Sequence, residues 1–148
     1  NAVSTPIAPA CVPAGLTPTC VGTILSELGT YQADLTSLLS SLRTAAGPST
    51  RIVLGTYDNA IVGSCPIAAA PGGTQLGAGV LEGFGPGSGP LVNGLHDVMR
   101  SVAPAFGVEI AEVNGDLNPA TDWAGDCLHP NDSGYVKVAA AFAETLLN

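Results

Sequence analysis

Apolar and polar positions along the 148-residue chain follow two periods, and the switches between them predict its elements. Ile24, Leu28, Tyr31, Leu35, Leu38 and Leu42 recur at alternating steps of four and three, one stripe of an amphipathic helix, with Gly47 and Pro48 as its stop. Arg51-Ile-Val-Leu-Gly-Thr-Tyr57 is a short apolar β run of the kind buried on both faces of a parallel sheet. Residues 58–90 are rich in glycine and proline and carry little charge, which reads as a long loop, a binding loop or a lid. Leu91, Leu95, Val98 and Val102 predict a helix over 91–106 that stops near Gly107. Val108-Glu-Ile-Ala-Glu-Val113 alternates, predicting an edge strand with one wetter face. After a loop at 114–130, Tyr135, Val138, Phe142 and Leu146 mark a C-terminal helix. Residues 1–22 lack a period and read as a loop tied down by a disulfide.

This order predicts an α/β fold, a parallel sheet with helices on both faces. Two strands make a poor sheet, and an independent domain of this type needs about 30 further residues of βαβ structure. Either strands hide in 1–22 or 58–90, or the chain is the C-terminal part of something longer. We favour the second. The length suits one domain, residues 1–148, and the start at Asn1 without Met predicts a processed or cut N-terminus.

Composition narrows the partners. Apolar residues make up 46% and charged residues 11%, too apolar and too weakly charged for a disordered chain. Four basic residues against twelve acidic ones give a net charge of −8. Arg43, Arg51, Arg100 and Lys137 are too few and too scattered to neutralise a phosphate backbone, which excludes nucleic acid as a partner. An anionic membrane surface acting by charge alone is excluded by the same count. The longest weakly polar stretch, Val136 to Leu147, is broken by Lys137 and Glu144, so no transmembrane segment is expected.

Cys11, Cys20, Cys65 and Cys127 form an even set without a Cys-x-x-Cys pair, pointing to disulfides rather than zinc and so to a secreted, extracytoplasmic protein. Of three pairings, the favoured one closes a short loop with Cys11–Cys20 and staples distant loops with Cys65–Cys127.

The chemistry concentrates in Asp126-Cys-Leu-His-Pro-Asn-Asp-Ser-Gly-Tyr135. A carboxylate three residues before a histidine, in a loop ahead of a helix, can accept the imidazole Nδ1–H. That bond fixes the tautomer and stabilises the imidazolium when Nε2 takes a proton. Asp126 and His129 are therefore the candidate catalytic residues. The plainer reading is a capped helix start with an incidental histidine.

Asp126, His129, Pro130, Gly134 and Tyr135, followed by the Ala-rich Val138–Phe142 segment, resemble the last motif of the SGNH (GDSL) hydrolases. The order of the preceding helix, strand, helix and strand is similar to that family too. The resemblance implies a flavodoxin-like three-layer α/β/α sandwich, its first strands missing from this chain. It also implies ester hydrolysis (esterase or lipase) through a Ser-His-Asp triad, with no cofactor.

The departure lies in the nucleophile. The chain has no Gly-Asp-Ser block, no Gly-x-Ser-x-Gly elbow and no Gly-x-Asn-Asp block. Ser133 lies within the helix start and suits capping. On this reading Asp126 and His129 supply the orienter and the base, and the serine comes from an N-terminal companion polypeptide of the same precursor. The substrate would be an ester of a lipid, an acylated sugar or a small alcohol. The competing reading is a non-catalytic, secreted, disulfide-stapled α/β binding module.

Other positions carry less. His96 falls between Leu95 and Asp97 and reads as a surface residue. Trp123 suits packing at the core or rim, or the lining of an acyl pocket. Tyr57, Asp58 and Asn59 follow a strand's C-terminal end, where open α/β sheets place ligands. Asp116, Asp122 and Asp126 make an acidic loop without calcium-loop spacing.

Overall fold

The structure is a computed structural model and describes residues 10–11, 17–60, 73–84, 92–126 and 128–148. Helix α1 spans Pro18–Ala46. Thr17 caps it, its Oγ1 accepting from the Cys20 amide at 3.2 Å, with Pro18 in the first turn. The helix thus starts inside the stretch expected to be loop, because a Thr-Pro pair is itself a start signal. A disulfide joins Cys20 to Cys11, while the Cys65–Cys127 pairing falls outside the described residues.

The buried side of α1 carries Cys20, Ile24, Leu28, Leu35 and Leu39. Leu38 and Leu42, both on the sequence stripe, instead stay 54% and 42% exposed. Arg43 explains the rotation. Its guanidinium donates to the carbonyls of Gly47, Thr50, Phe106 and Gly107 at 2.7–2.9 Å, which turns the Leu39–Arg43 side toward its neighbours.

Strand β1 (Ile52–Gly55) pairs in parallel with β2 (Val108–Ala111), Ile52 opposite Val108 and Gly55 opposite Ala111. The sheet is mixed with helix, as expected of an α/β chain, and has two strands among the described residues. The pleat divides its side chains. Ile52, Leu54, Val108 and Ile110 join the core formed with α1. Val53, Gly55, Glu109 and Ala111 turn the other way, toward helix α4 (Asp132–Leu147). There Gly55 leaves room for Phe142, whose ring would stand 2.6 Å from an added Cβ. Arg51 binds Glu109 on this side, and donates to the Thr145 and Leu146 carbonyls of α4. Burial along β2 does not alternate as the sequence predicted: Val108 and Ala111 are buried at its ends, and Glu109 and Ile110 are half-buried between them.

Two segments between the strands differ from expectation. The predicted loop over 58–90 contains helix α2 (Gly73–Glu82), which packs Leu76, Val80 and Leu81 on the core. Gly77 and Gly79 masked its period. Gly79 lies beneath the Phe84 ring, where a Cβ would come within 2.1 Å. The predicted 91–106 helix is split into helix α3 (Leu95–Val102) and a 3₁₀ turn (Ala103–Phe106). Pro104 lacks an N–H for the α ladder, and Gly107 ends the turn left-handed at φ 60°. Among the described residues, no helix is long and apolar enough to cross a membrane.

Candidate functional site

The carboxyl ends of both strands converge through Thr56. Its amide donates to the Ala111 carbonyl, and its buried hydroxyl accepts from the Val113 and Asn114 amides at 2.8 and 3.1 Å. Asp58 extends the tie, its Oδ2 accepting from the amides of Gly115 and Leu117. Its carboxylate is thus occupied by loop backbone.

The loop from 117 to α4 is organised by Asp122, which is buried. Its carboxylate accepts from Lys137 Nζ at 2.5 Å, the Asn118 amide at 2.7 Å, and the hydroxyls of Ser133 and Thr121. Lys137 first, then these other donors, hold it well below the usual carboxylate range against the opposing effect of burial. Asn131 caps α4 through its Oδ1, which accepts from the Gly134 amide. Ser133 donates to Asp122 and Asn131, so it belongs to the helix start. Gly134 is buried there, and an added Cβ would stand 2.3 Å from the Asp122 carbonyl oxygen.

On this platform sits the Asp126–His129 pair. His129 Nδ1 lies 2.7 Å from Asp126 Oδ2, while Oδ1 accepts from the backbone amides of Leu128 and His129. Asp126 is brought down to about 2, first by the bond from His129 and then by the two amides, which together outweigh desolvation. An ionised Asp126 only accepts, so Nδ1 carries a proton and the other nitrogen, Nε2, is the basic one in the neutral ring. The side chains are 66% and 50% exposed, and among the described residues nothing hydrogen-bonds to Nε2. The structure brings the two candidate catalytic residues together. It places no described serine hydroxyl on the histidine.

A cleft of about 450 Å³ opens beside the pair. Leu128 and Pro130, the neighbours of His129, line it, with Val53 to Gly55 of β1, Thr56 to Asp58 just after it, Trp123 and, from α4, Tyr135, Val138 and Phe142. Trp123 also bridges to Pro130, and among the described residues its buried indole N–H has no hydrogen-bond partner.

His96 overturns its sequence reading. It is fully buried rather than on the surface, because it shares the inner face of α3 with Leu95 and Met99. Both ring nitrogens are used: Nε2 lies 3.0 Å from the Tyr57 amide, and Nδ1 meets Glu82. Glu82 also accepts from Asn114 and Arg100, and Arg100 reaches Glu112 in bidentate fashion. Neither this network nor Thr56 carries a sequence motif, since its members lie on separate elements.

Compared with known proteins, the chain matches no family model, no curated protein and no solved structure.

Proposed function

We propose that this chain supplies the base and its orienter for carboxylic ester hydrolysis, in the manner of the SGNH hydrolases it resembles. The observation that carries the reading is the Asp126–His129 pair, bonded at 2.7 Å, with no hydrogen bond to Nε2 among the described residues and with Leu128 and Pro130, on either side of His129, lining an apolar cleft. His129 takes the proton of a serine hydroxyl, and the serine oxygen adds to the ester carbonyl. The imidazolium, held by Asp126, returns the proton to the departing alcohol, leaving an acyl-enzyme. Water, deprotonated by the same histidine, then releases the acid.

The serine comes from a companion segment, N-terminal in the precursor, that completes a three-layer flavodoxin-like sandwich. Two features support such a segment. The two strands of the described residues are too small a sheet to stand as an α/β core. The amide of Thr56 points to β2, so by the alternation of a parallel ladder Val53 and Gly55 turn their backbone groups to the other edge, where another strand can pair. The Cys11–Cys20 disulfide supports an extracytoplasmic location.

The test is hydrolysis of p-nitrophenyl esters by the protein together with its companion segment, isolated by native mass analysis and sequenced. We expect His129→Ala to lower kcat by about 10³-fold or more with folding intact. Equal rates in wild type and His129→Ala, or a native mass of one chain alone, would sink the proposal and leave the binding-module reading.

A further inference from the structure

We infer that His96 is a positioning residue for the cleft, holding the Tyr57–Asp58 wall in place while its ring is neutral and releasing it on protonation. Glu82 fixes the tautomer of the ring. Burial opposes its charge, but hydrogen bonds from His96 and Arg100 outweigh that and hold it below the usual carboxylate range. An ionised carboxylate cannot donate, so the Nδ1 of His96 must. In the neutral ring Nε2 is then a lone pair, matching the Tyr57 amide that points at it from 3.0 Å.

A second proton converts Nε2 from acceptor to donor. Two N–H groups then face each other, one of them on a fully buried ring, and the Tyr57 amide loses its partner. Tyr57 and Asp58 both line the cleft, so the change acts on its wall. Asp58 in turn holds the Gly115 and Leu117 amides, which carries the displacement toward the loop that bears Asp122.

The charged and titratable groups of this network and of the elements that carry it are these. Glu82 lies at the end of α2, Asp97 and Arg100 on α3, and Glu112 just past β2. Tyr57 and Asp58 follow β1. Tyr31 of α1, pushed up to about 12 by burial and then by Tyr57, stays neutral throughout. Among the described residues, the amide of Tyr57 and the carboxylate of Glu82 are the two groups that bond the ring.

The test is amide hydrogen exchange at Tyr57, corrected for the intrinsic pH dependence of exchange, from about pH 8 to about pH 5, with ¹⁵N spectra of the His96 ring. In the wild type, protection at Tyr57 should fall about tenfold on acidification, with the midpoint of ring protonation. His96→Gln can accept from Tyr57 and donate to Glu82 without titrating, and should keep protection at both pH values. His96→Leu should lose it at both. A ring that stays neutral over the range, or one that protonates without loss of Tyr57 protection, would overturn the inference. So would an equal loss in His96→Gln. The wild-type spectra alone decide the matter if either variant fails to fold.

Discussion

At the scale of single residues, the site rests on side-chain atoms that satisfy backbone groups at a distance. Thr56 is the clearest case, since one hydroxyl serves two amides beyond β2. Thr56→Val keeps the shape and removes the acceptor, leaving the Val113 and Asn114 amides unpaired. We expect a loss of about 1–3 kcal/mol in denaturant unfolding. A change within error would mean the two amides find other partners. Asp126 gives a prediction in pH. The bond from the His129 ring, with those from the Leu128 and His129 amides, lowers its pKa from the ordinary 3.8 to about 2, so their contribution is full above 3.8 and is lost as pH falls through about 2. A ¹³C titration of the carboxyl should find that midpoint, and His129→Ala should raise it. A wild-type midpoint at 3.8 would mean the bond is absent in solution. The Asp126–His129 pair was legible in the sequence because its members are three residues apart. Thr56, Glu82 and the role of His96 were not, because their partners are 14 to 58 residues away in sequence. No local pattern records such distances.

At the scale of elements, helix ends and close approaches decide the geometry. Helix α4 starts where Gly134 fits between Asp122 and Pro130. Gly134→Ala forces a methyl against backbone and should cost about 1–3 kcal/mol while disturbing the loop that carries His129. Thermal unfolding, with the Nδ1–Asp126 bond followed by NMR, checks both effects. Arg43 does similar work at the far end of α1, where its planar fork meets four carbonyls. Arg43→Lys places at most three donors around one nitrogen and should destabilise by about 1–2 kcal/mol in urea unfolding. A neutral result would show that water replaces the lost bonds. The period of α1 was legible over its first half, whose only task is to bury apolar side chains. It misled from Leu38 onward, where a polar contact, Arg43, sets the rotation. Helix α2 escaped notice because the glycine that admits Phe84 weakens the helical pattern.

For the molecule as a whole, the class was legible and the architecture only in part. Strands separated by helical segments implied parallel pairing, and Ile52–Gly55 pairs with Val108–Ala111 in that sense. How many strands complete the sheet is not encoded in the period of any segment. The Cys11–Cys20 bridge ties the chain ahead of α1 to its first turn across a separation of nine residues. Replacing both cysteines with serine should lower stability by about 2–3 kcal/mol, the scale of closing so short a loop in the unfolded chain. Unchanged unfolding in the double variant would mean that stretch contributes nothing to the folded core.

The cleft also has an optical consequence. Trp123 is the chain's single tryptophan, and it lines the cleft. Excited at the red edge of the aromatic band, the chain therefore has one emitter in one place. A molecule that enters the cleft and packs against the indole will shift the emission of the whole chain, with no background from a second tryptophan of that chain to subtract. Ligands can thus be ranked by intrinsic fluorescence, with no label and no assumption about the reaction they undergo.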